Sequence, residues 1–259
     1  TLESRGLGDV YKRQLVIIGN EILSGRTQDK NINHIAKELF ICGISLQLVV
    51  VIPDQKKIII SQIRKLKNQY DFIITTGGIG PTHDDITSES ISLAVKKKYK
   101  LHNGAYKELK KYYRKIKSEL TDARMKMAYM PEGSKLILNK VSGAPGFKIE
   151  NIYVFAGIPS IVQAMMKEFK KMIKIKNKFY STTISTKLFE SKIAHLLVQA
   201  ERKYKNISIG SYPIFDGKPK GVEIVINSQV NKLGVSNAKK FILRAVSYTH
   251  LRAHETREY

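Results

Sequence analysis

Asp84 and Asp85 stand side by side, His83 precedes them, and Gly77, Gly78 and Gly80 lie just upstream. Adjacent carboxylates repel each other unless a cation or a shared proton compensates. Glycine lets a backbone approach another group with no side chain in the way. One loop therefore offers bare N–H groups for phosphate and acids for a metal ion or a proton. That chemistry suits a nucleotide-like ligand. The simplest job for Asp85, just before Ile86-Thr87-Ser88-Glu89, is to cap a helix. A cap needs only one carboxylate, which leaves the other for function. His83 is weaker evidence, since a lone histidine in a polar loop is often a surface hydrogen-bonder. The glycines match neither a dinucleotide fingerprint, whose third glycine is missing after Gly80-Pro81, nor an ATPase loop, which needs Gly-Lys-Ser/Thr.

Other loops offer more of the same. Gly19-Asn20-Glu21-Ile22-Leu23-Ser24-Gly25 is turn-forming, and Glu21, Ser24 and Gly25 could line one site with the glycine loop. Asp54 follows Pro53 after an apolar run and by itself reads as a helix cap. Ser142–Phe147 and Ala156–Ser160 are glycine- and proline-containing loops. The second opens a helix, whose N-terminus favours anions. Ordinary turn chemistry accounts equally well for both loops.

These loops need a scaffold that gathers them. Leu15–Ile18, Leu46–Ile52 and Phe72–Thr76 read as strands. Lys30–Cys42 and Lys56–Asn68 between them, and Ile86–Lys98 after them, read as helices. This alternation predicts an α/β fold with a mostly parallel sheet covered on both faces. Its ligand should lie at the carboxyl ends of the strands. Leu101–Met130 reads as helical, Leu136–Leu138 and Ile152–Phe155 as strands, and 139–147 as the loop between them. Past a linker at 173–178, residues 179–245 read as a small α+β unit. Residues 1–14 and 246–259 show no clear period, resemble adapter-derived tails and are left out of the expected fold.

Composition narrows the class. The chain has 259 residues, 45 Lys and Arg against 22 Asp and Glu, and a net charge of +23. That excess invites a nucleic-acid reading. Tyr106–Lys117 is the best basic-aromatic stretch, but a solvated helix face explains such a charge run better. No nucleic-acid partner is expected. The single cysteine, Cys42, can make neither an internal disulfide nor a cysteine metal cluster. No apolar run approaches the ~18 residues of a membrane span. A cytoplasmic protein with no membrane partner is expected.

Read in order, Gly19–Gly25, Pro53-Asp54, Thr75–Thr87, Ala144–Phe147 and Gly157–Ser160 resemble the MoaB/Mog, or molybdopterin-binding, family. Within it, order and spacing are similar to the N-terminal region of its CinA-type (competence/damage-inducible protein A) members. The similarity runs from about Leu15 to Met172, and the small unit resembles the second domain of that region. The resemblance implies a three-layer α/β/α sandwich (15–172) with the small α+β unit after it. It matches Asp85 to an aspartate used in adenylylation by members that make molybdenum cofactor, and Asp54 to their second acidic position. Gly77, Gly78 and Gly80, with Thr76, correspond to a loop around pterin or nucleotide phosphate. Ser24, Gly25, Gly143, Gly146, Pro159 and Ser160 are further candidate ligand contacts, and Glu21, Asp84 and Asp85 candidate metal ligands. The implied activity is divalent-metal-dependent hydrolysis of ADP-ribose- or FAD-type nucleotides by a homo-oligomer, with Asp85 and Asp54 catalytic. The alternatives are pterin binding or adenylyl transfer in molybdenum cofactor metabolism, or a non-catalytic nucleotide-binding module. The resemblance extends to no nicotinamide-nucleotide deamidase or FAD-synthase domain, so neither activity is expected. The Asp84-Asp85 pair, where cofactor-synthesis members have a basic residue before the aspartate, points away from those members.

Overall fold

The computed structural model describes residues 13–44, 46–173, 180–228 and 230–255. They fall into two compact units that divide near residue 175.

The first unit runs β1 (Arg13–Ile18), α1 (Asn20–Leu23), α2 (Asn31–Ile41), β2 (Leu48–Ile52), α3 (Lys56–Lys67), β3 (Phe72–Thr76) and α4 (Thr87–Ala94). It continues through β4 (Tyr99–Leu101), α5 (Asn103–Lys115), α6 (Asp122–Met125), β5 (Tyr129–Pro131), β6 (Lys135–Ile137), β7 (Gly146–Ile149), β8 (Ile152–Phe155) and α7 (Pro159–Met172). Six strands form one sheet in the order β2-β1-β3-β8-β7-β6. β1, β2, β3 and β8 are parallel, while β7 and β6 turn back antiparallel at one edge.

The layers follow from alternation along the strands. Val16 and Ile18 of β1 meet Ile59 and Ile63 of α3, Ile91 of α4 and Leu109 of α5 on one face. Leu15 and Ile17 meet Ile35 and Leu39 of α2 and Val162, Met165, Met166 and Phe169 of α7 on the other. Helices on both faces of a mostly parallel sheet make the expected three-layer sandwich. Phe169 sits at the centre of the second face, edge-on to Tyr153, Phe155 and Phe72 at centroid distances of 4.9, 5.9 and 5.9 Å.

The second unit has an antiparallel sheet, β9 (Tyr180–Thr186), β10 (Ser208–Asp216) and β11 (Lys218–Ser228), in the order β10-β11-β9. Two helices, α8 (Glu190–Lys203) and α9 (Lys232–Glu255), pack through a separate core that includes Ile193, Leu197, Ile224, Ala238 and Ile242. This is the expected small α+β unit.

Several boundaries differ from the sequence reading. β1 begins at Arg13, so Arg13 and Gln14 belong to the fold and not to a tail. Both are buried, and Gln14 lies opposite Leu48 and Ile73 in the ladder. Their polarity hides a strand whose backbone is paired on both sides. At the other end α9 continues past residue 245, and Val246 closes the second core. Residues 1–12 and 256–259, and the linker residues 174–178, lie outside the described set. Residues 101–130 are not wholly helical: Leu101 and Tyr129 pair across the short ladder of β4 and β5. The expected loop 139–147 ends early because Gly146 already opens β7. Strands of three or four residues are too short to show a period.

Candidate functional site

β1, β2 and β3 end side by side, and the loop after each contributes to one site. Gly77 follows β3 directly, with φ +102. A Cβ there would lie 2.0 Å from the carbonyl oxygen of Ile18, so this position admits only glycine. Gly78 has φ +66, and a Cβ would lie 2.2 Å from Oγ1 of Thr87 and 3.4 Å from Oδ1 of Asp54. That proximity joins the β2 loop to the glycine loop. The Gly78 carbonyl accepts from the N–H of Thr87 at 2.9 Å, which holds the start of α4 beneath the loop.

Asp54 is no helix cap. Gln55 occupies the N-cap of α3 and makes no side-chain cap. The Asp54 carboxylate instead accepts from the N–H of Asn20 at 2.8 Å, and the Asn20 side chain accepts from the N–H of Asp54 at 3.3 Å. This exchange clamps the β1 loop to the β2 loop. Burial, above all, raises the Asp54 carboxyl above its ordinary range. The Asn20 N–H opposes that rise, while Glu21, Asp84 and Asp85 add to it. Acids from three loops thus feel one another's charge.

Asp85 does not cap α4 either: Ile86 is the N-cap and has no side-chain cap. The Asp85 carboxylate folds back on its own loop. It accepts the Thr82 N–H at 2.8 Å and the Thr82 hydroxyl, and Gly80 gives it room, since a Cβ there would lie 2.6 Å from Oδ2. Asp84 is exposed and held below the ordinary carboxylate range, first by hydrogen bonding from Thr82 and its own backbone, then by His83 and Lys126. The one Thr82 hydroxyl proton cannot serve both acids at once, and the geometry gives it to Asp85. Glu21 folds its carboxylate over Gly19, where a Cβ would lie 2.7 Å from Oε1.

The remaining candidates divide. Pro159, in the first turn of α7, lines a small cavity of about 60 Å³ with Glu21, Asn31, Thr76, Gly77 and Gly157. Gly157 approaches the backbone of Gly77, where a Cβ would lie 3.4 Å from its Cα. Ser160 is exposed at the same helix start. Ser24 ends α1 with its hydroxyl on the Glu21 carbonyl at 3.3 Å, and Gly25 turns the chain at φ +71. Gly143 and Gly146 have packing reasons. Gly143 gives way to Tyr112 of α5, 2.2 Å from where a Cβ would stand, and Gly146 lies as close to the Val154 carbonyl in the sheet.

The sequence reading missed two residues. Asn31 starts α2 and donates to the Gly157 carbonyl at 2.7 Å, tying the α2 and α7 starts together. Its only sequence signal is a polar residue at a helix start. Lys126, in a short turn before β5, donates to the Thr82 carbonyl and brings a cation to the acidic loop. Nothing in the sequence distinguishes it from the many other lysines.

Among the described residues no three histidine, cysteine, aspartate or glutamate side chains are grouped closely enough to hold an ion by themselves. A magnesium-like ion usually takes one or two carboxylates and completes its shell with water and substrate phosphate. Asp84 and Asp85 fit that mode, and the site does not make a closed cage. No helix among the described residues is long and apolar enough to cross a membrane.

Residues 14–175 match the model of the probable molybdopterin binding domain, and residues 178–254 that of the middle domain of FAD synthase. A protein of Archaeoglobus fulgidus is 35% identical over 201 residues, 77% of this chain and 84% of that protein. One of Caldivirga maquilingensis is 33% identical over 231 residues, 86% of this chain and 88% of that protein. Among solved structures, the CinA protein of unknown function from Thermoplasma acidophilum is similar at 29% identity and a TM-score of 0.57. That likeness covers 62% of this chain and 98% of that one.

Proposed function

We propose a function from one premise: this chain belongs to the probable molybdopterin-binding (MoaB/Mog) family, close to its CinA members. It is a divalent-metal-dependent hydrolase of diphosphate-linked nucleotides of the ADP-ribose or FAD type. One observation carries the reading: acids from three loops, Glu21, Asp54, Asp84 and Asp85, act on one another beside glycine backbone at the strand ends. Acids alone would repel a diphosphate. A cation between them and the phosphates makes the combination sensible. The match of the second unit to the FAD synthase middle domain supports a nucleotide of this kind.

The N–H groups of residues 78–80 would bind phosphate oxygens, while that of Gly77 donates to the Phe155 carbonyl at 3.2 Å. Asp85, pinned by Thr82, and Asp84, exposed and ionised, would hold the ion with Glu21 beside them. When bound, that ion would supply neutralisation of the diphosphate and polarisation of the attacked phosphoryl group. Asp54, whose carboxyl burial raises above its ordinary range, would take a proton from the attacking water as a carboxylate. Lys126, which donates to the Thr82 carbonyl, would offset the growing negative charge. The proposal includes a cytoplasmic setting and a homo-oligomer, and sedimentation of the purified chain tests the latter.

The test is incubation with ADP-ribose, FAD, NAD and ATP, each with magnesium, manganese or cobalt, and chromatography for AMP. AMP from at least one diphosphate-linked substrate, abolished by exhaustive chelation, is expected. Full activity after chelation rules out the metal. No AMP from any substrate favours a binding module, and AMP moved onto an added pterin favours adenylyl transfer, the family's name being what supports that second reading.

A further inference from the structure

The two edges of the six-stranded sheet differ in how they are guarded. β6, at one edge, is three residues long and carries Lys135. Shortness, lysine, proline and bulges are the usual means of keeping a strand edge from pairing with another chain. β2, at the other edge, has five residues and no such guard. Among the described residues it pairs only with β1, in unbroken register, and it reads Leu-Val-Val-Val-Ile. No charged residue occurs from Gly43 to Ile52. Leu48 is 41% exposed, and Val49, Val50 and Val51 are only half-buried although each packs against a core. The helices continue this surface. α2 turns Asn31 and Glu38 towards α7, through the Gly157 carbonyl and the Lys170 ion pair. Ile32 and Ala36, half-buried, lie on its opposite flank. α3 turns Lys56 and Arg64 towards α4, through Glu89 and the Leu93 carbonyl. Its opposite flank carries Gln62 and Ile58, and Ile58 is 37% exposed.

We propose that the β2 edge is the contact between two copies of this chain, paired antiparallel about a two-fold axis at Val50. The inference rests on the homo-oligomer of the proposed function and gives that oligomer a surface. Another strand completes the unpaired N–H and C=O groups of an edge, which fixes the class of occupant. Charge selects the copy. A chain of +23 repels its own copy wherever lysines meet, and this edge is a stretch without them. An interface about a two-fold axis must also be self-complementary. Here Val50 meets Val50, Val49 meets Val51 and Leu48 meets Ile52, apolar cross-strand pairs of the kind that stabilise sheets. An axis perpendicular to the sheet keeps each helix layer on its own side. Ile32 and Ala36 then approach their counterparts on one face, and Ile58 its own on the other. The two Asp54 residues fall at opposite ends of the paired strands, so neither site faces the other.

The experiment is sedimentation equilibrium of the parent and of a Leu48→Lys/Ile58→Lys variant, with melting measured on the same samples. Both side chains are exposed, so the variant should melt with the parent. The parent should be dimeric, and the variant should dissociate at least roughly tenfold more readily, since four added lysines meet in each pair. Cysteines then test the register. In a Cys42→Ala background, which removes the single native cysteine, Val50→Cys should oxidise to a linked dimer. Directly opposite Cα atoms stand about 4.5–5.5 Å apart, within the disulfide range of about 4.4–6.8 Å. Leu48→Cys should not link, because its copy lies four residues along the strand, roughly 13 Å away. A dimer that survives the lysines, or Leu48→Cys linking as readily as Val50→Cys, puts the interface elsewhere and overturns the proposal. A monomeric parent overturns it together with the homo-oligomer. Slow hydrogen exchange of the β2 amides in that monomer would show another part of the same chain on the edge. A β2 dimer without AMP release from any diphosphate leaves the interface standing and overturns only the hydrolase.

Discussion

Asp85 and Asp54 look alike in the sequence and differ in the structure. Asp85 spends its carboxylate on Thr82, so its structural role is to shape the loop. Asparagine keeps an acceptor for the Thr82 N–H and loses the charge. Asp85→Asn should therefore abolish AMP release and shift the unfolding free energy by no more than about 1 kcal/mol, the usual worth of one hydrogen bond. Melting and rate measured on the same preparation check both halves, and a normal rate would move the site elsewhere. Asp54 makes a different prediction because burial and three neighbouring acids raise its pKa. A carboxyl with a raised folded pKa adds stability below its unfolded value, near pH 3.9, and loses it as pH rises through the folded value. Asp54→Asn removes that loss and still accepts from Asn20. The variant should melt above the parent at pH 7, and the gap should close by about pH 4, as thermal melts across that range would show. A lower melting point at pH 7 would mean that the Asn20 clamp needs the charge. Asp84 is held below the ordinary carboxylate range, so it stays ionised while Asp54 takes up a proton. Activity should accordingly fall with Asp54 on the acid side.

The glycine loop works as an element because its three glycines answer to different neighbours. At Gly77 the obstacle is backbone, the Ile18 carbonyl at 2.0 Å, and nothing there can move away. At Gly80 the obstacle is the end of the Asp85 side chain, which can swing. Gly77→Ala should thus cost more than the roughly 1–3 kcal/mol of a strained backbone and lower yield and melting temperature together. Gly80→Ala should leave the melting temperature nearly unchanged and lower the rate at least tenfold by displacing Asp85. Equal losses of stability in the two variants would contradict the assignment. The sequence shows this loop plainly, because an apolar strand, three glycines and a polar helix start differ so sharply. β1 is less legible at its start, where Arg13 and Gln14 are buried by pairing and not by apolarity. β4 and β5 are illegible, since three residues cannot express a period and their partners lie about thirty positions apart. The acids Asp54 and Asp85 are legible in the sequence, but their local roles are not, since neither caps a helix. A cap is recognised by nearest neighbours, whereas the actual partner of Asp54, Asn20, comes from another loop.

At the scale of the whole chain the division into a large sandwich and a small α+β unit was visible from strand and helix order, because each unit has its own apolar periodicity and its own core. Charge is the global property that sequence leaves open. A net +23 invites nucleic acid, and the best stretch for it lies along α5. There the tyrosines are engaged by the protein itself. Tyr106 and Tyr113 pack on the core, and Tyr112 lies against Gly143 and gives its hydroxyl to the Val141 carbonyl at 3.0 Å. The rings point to the protein, and lysines such as Lys107, Lys110 and Lys111 point to solvent. Bases would meet charge without a platform, which yields only the loose, sequence-independent binding of about 10⁻⁴–10⁻⁶ M typical at physiological salt. Anisotropy titrations of short single-stranded and duplex DNA across a salt series should give weak binding at low salt that fades to that level or beyond. Sub-micromolar binding at physiological salt, with a slope reporting several released counterions, would require a continuous phosphate track and would make nucleic acid a partner after all.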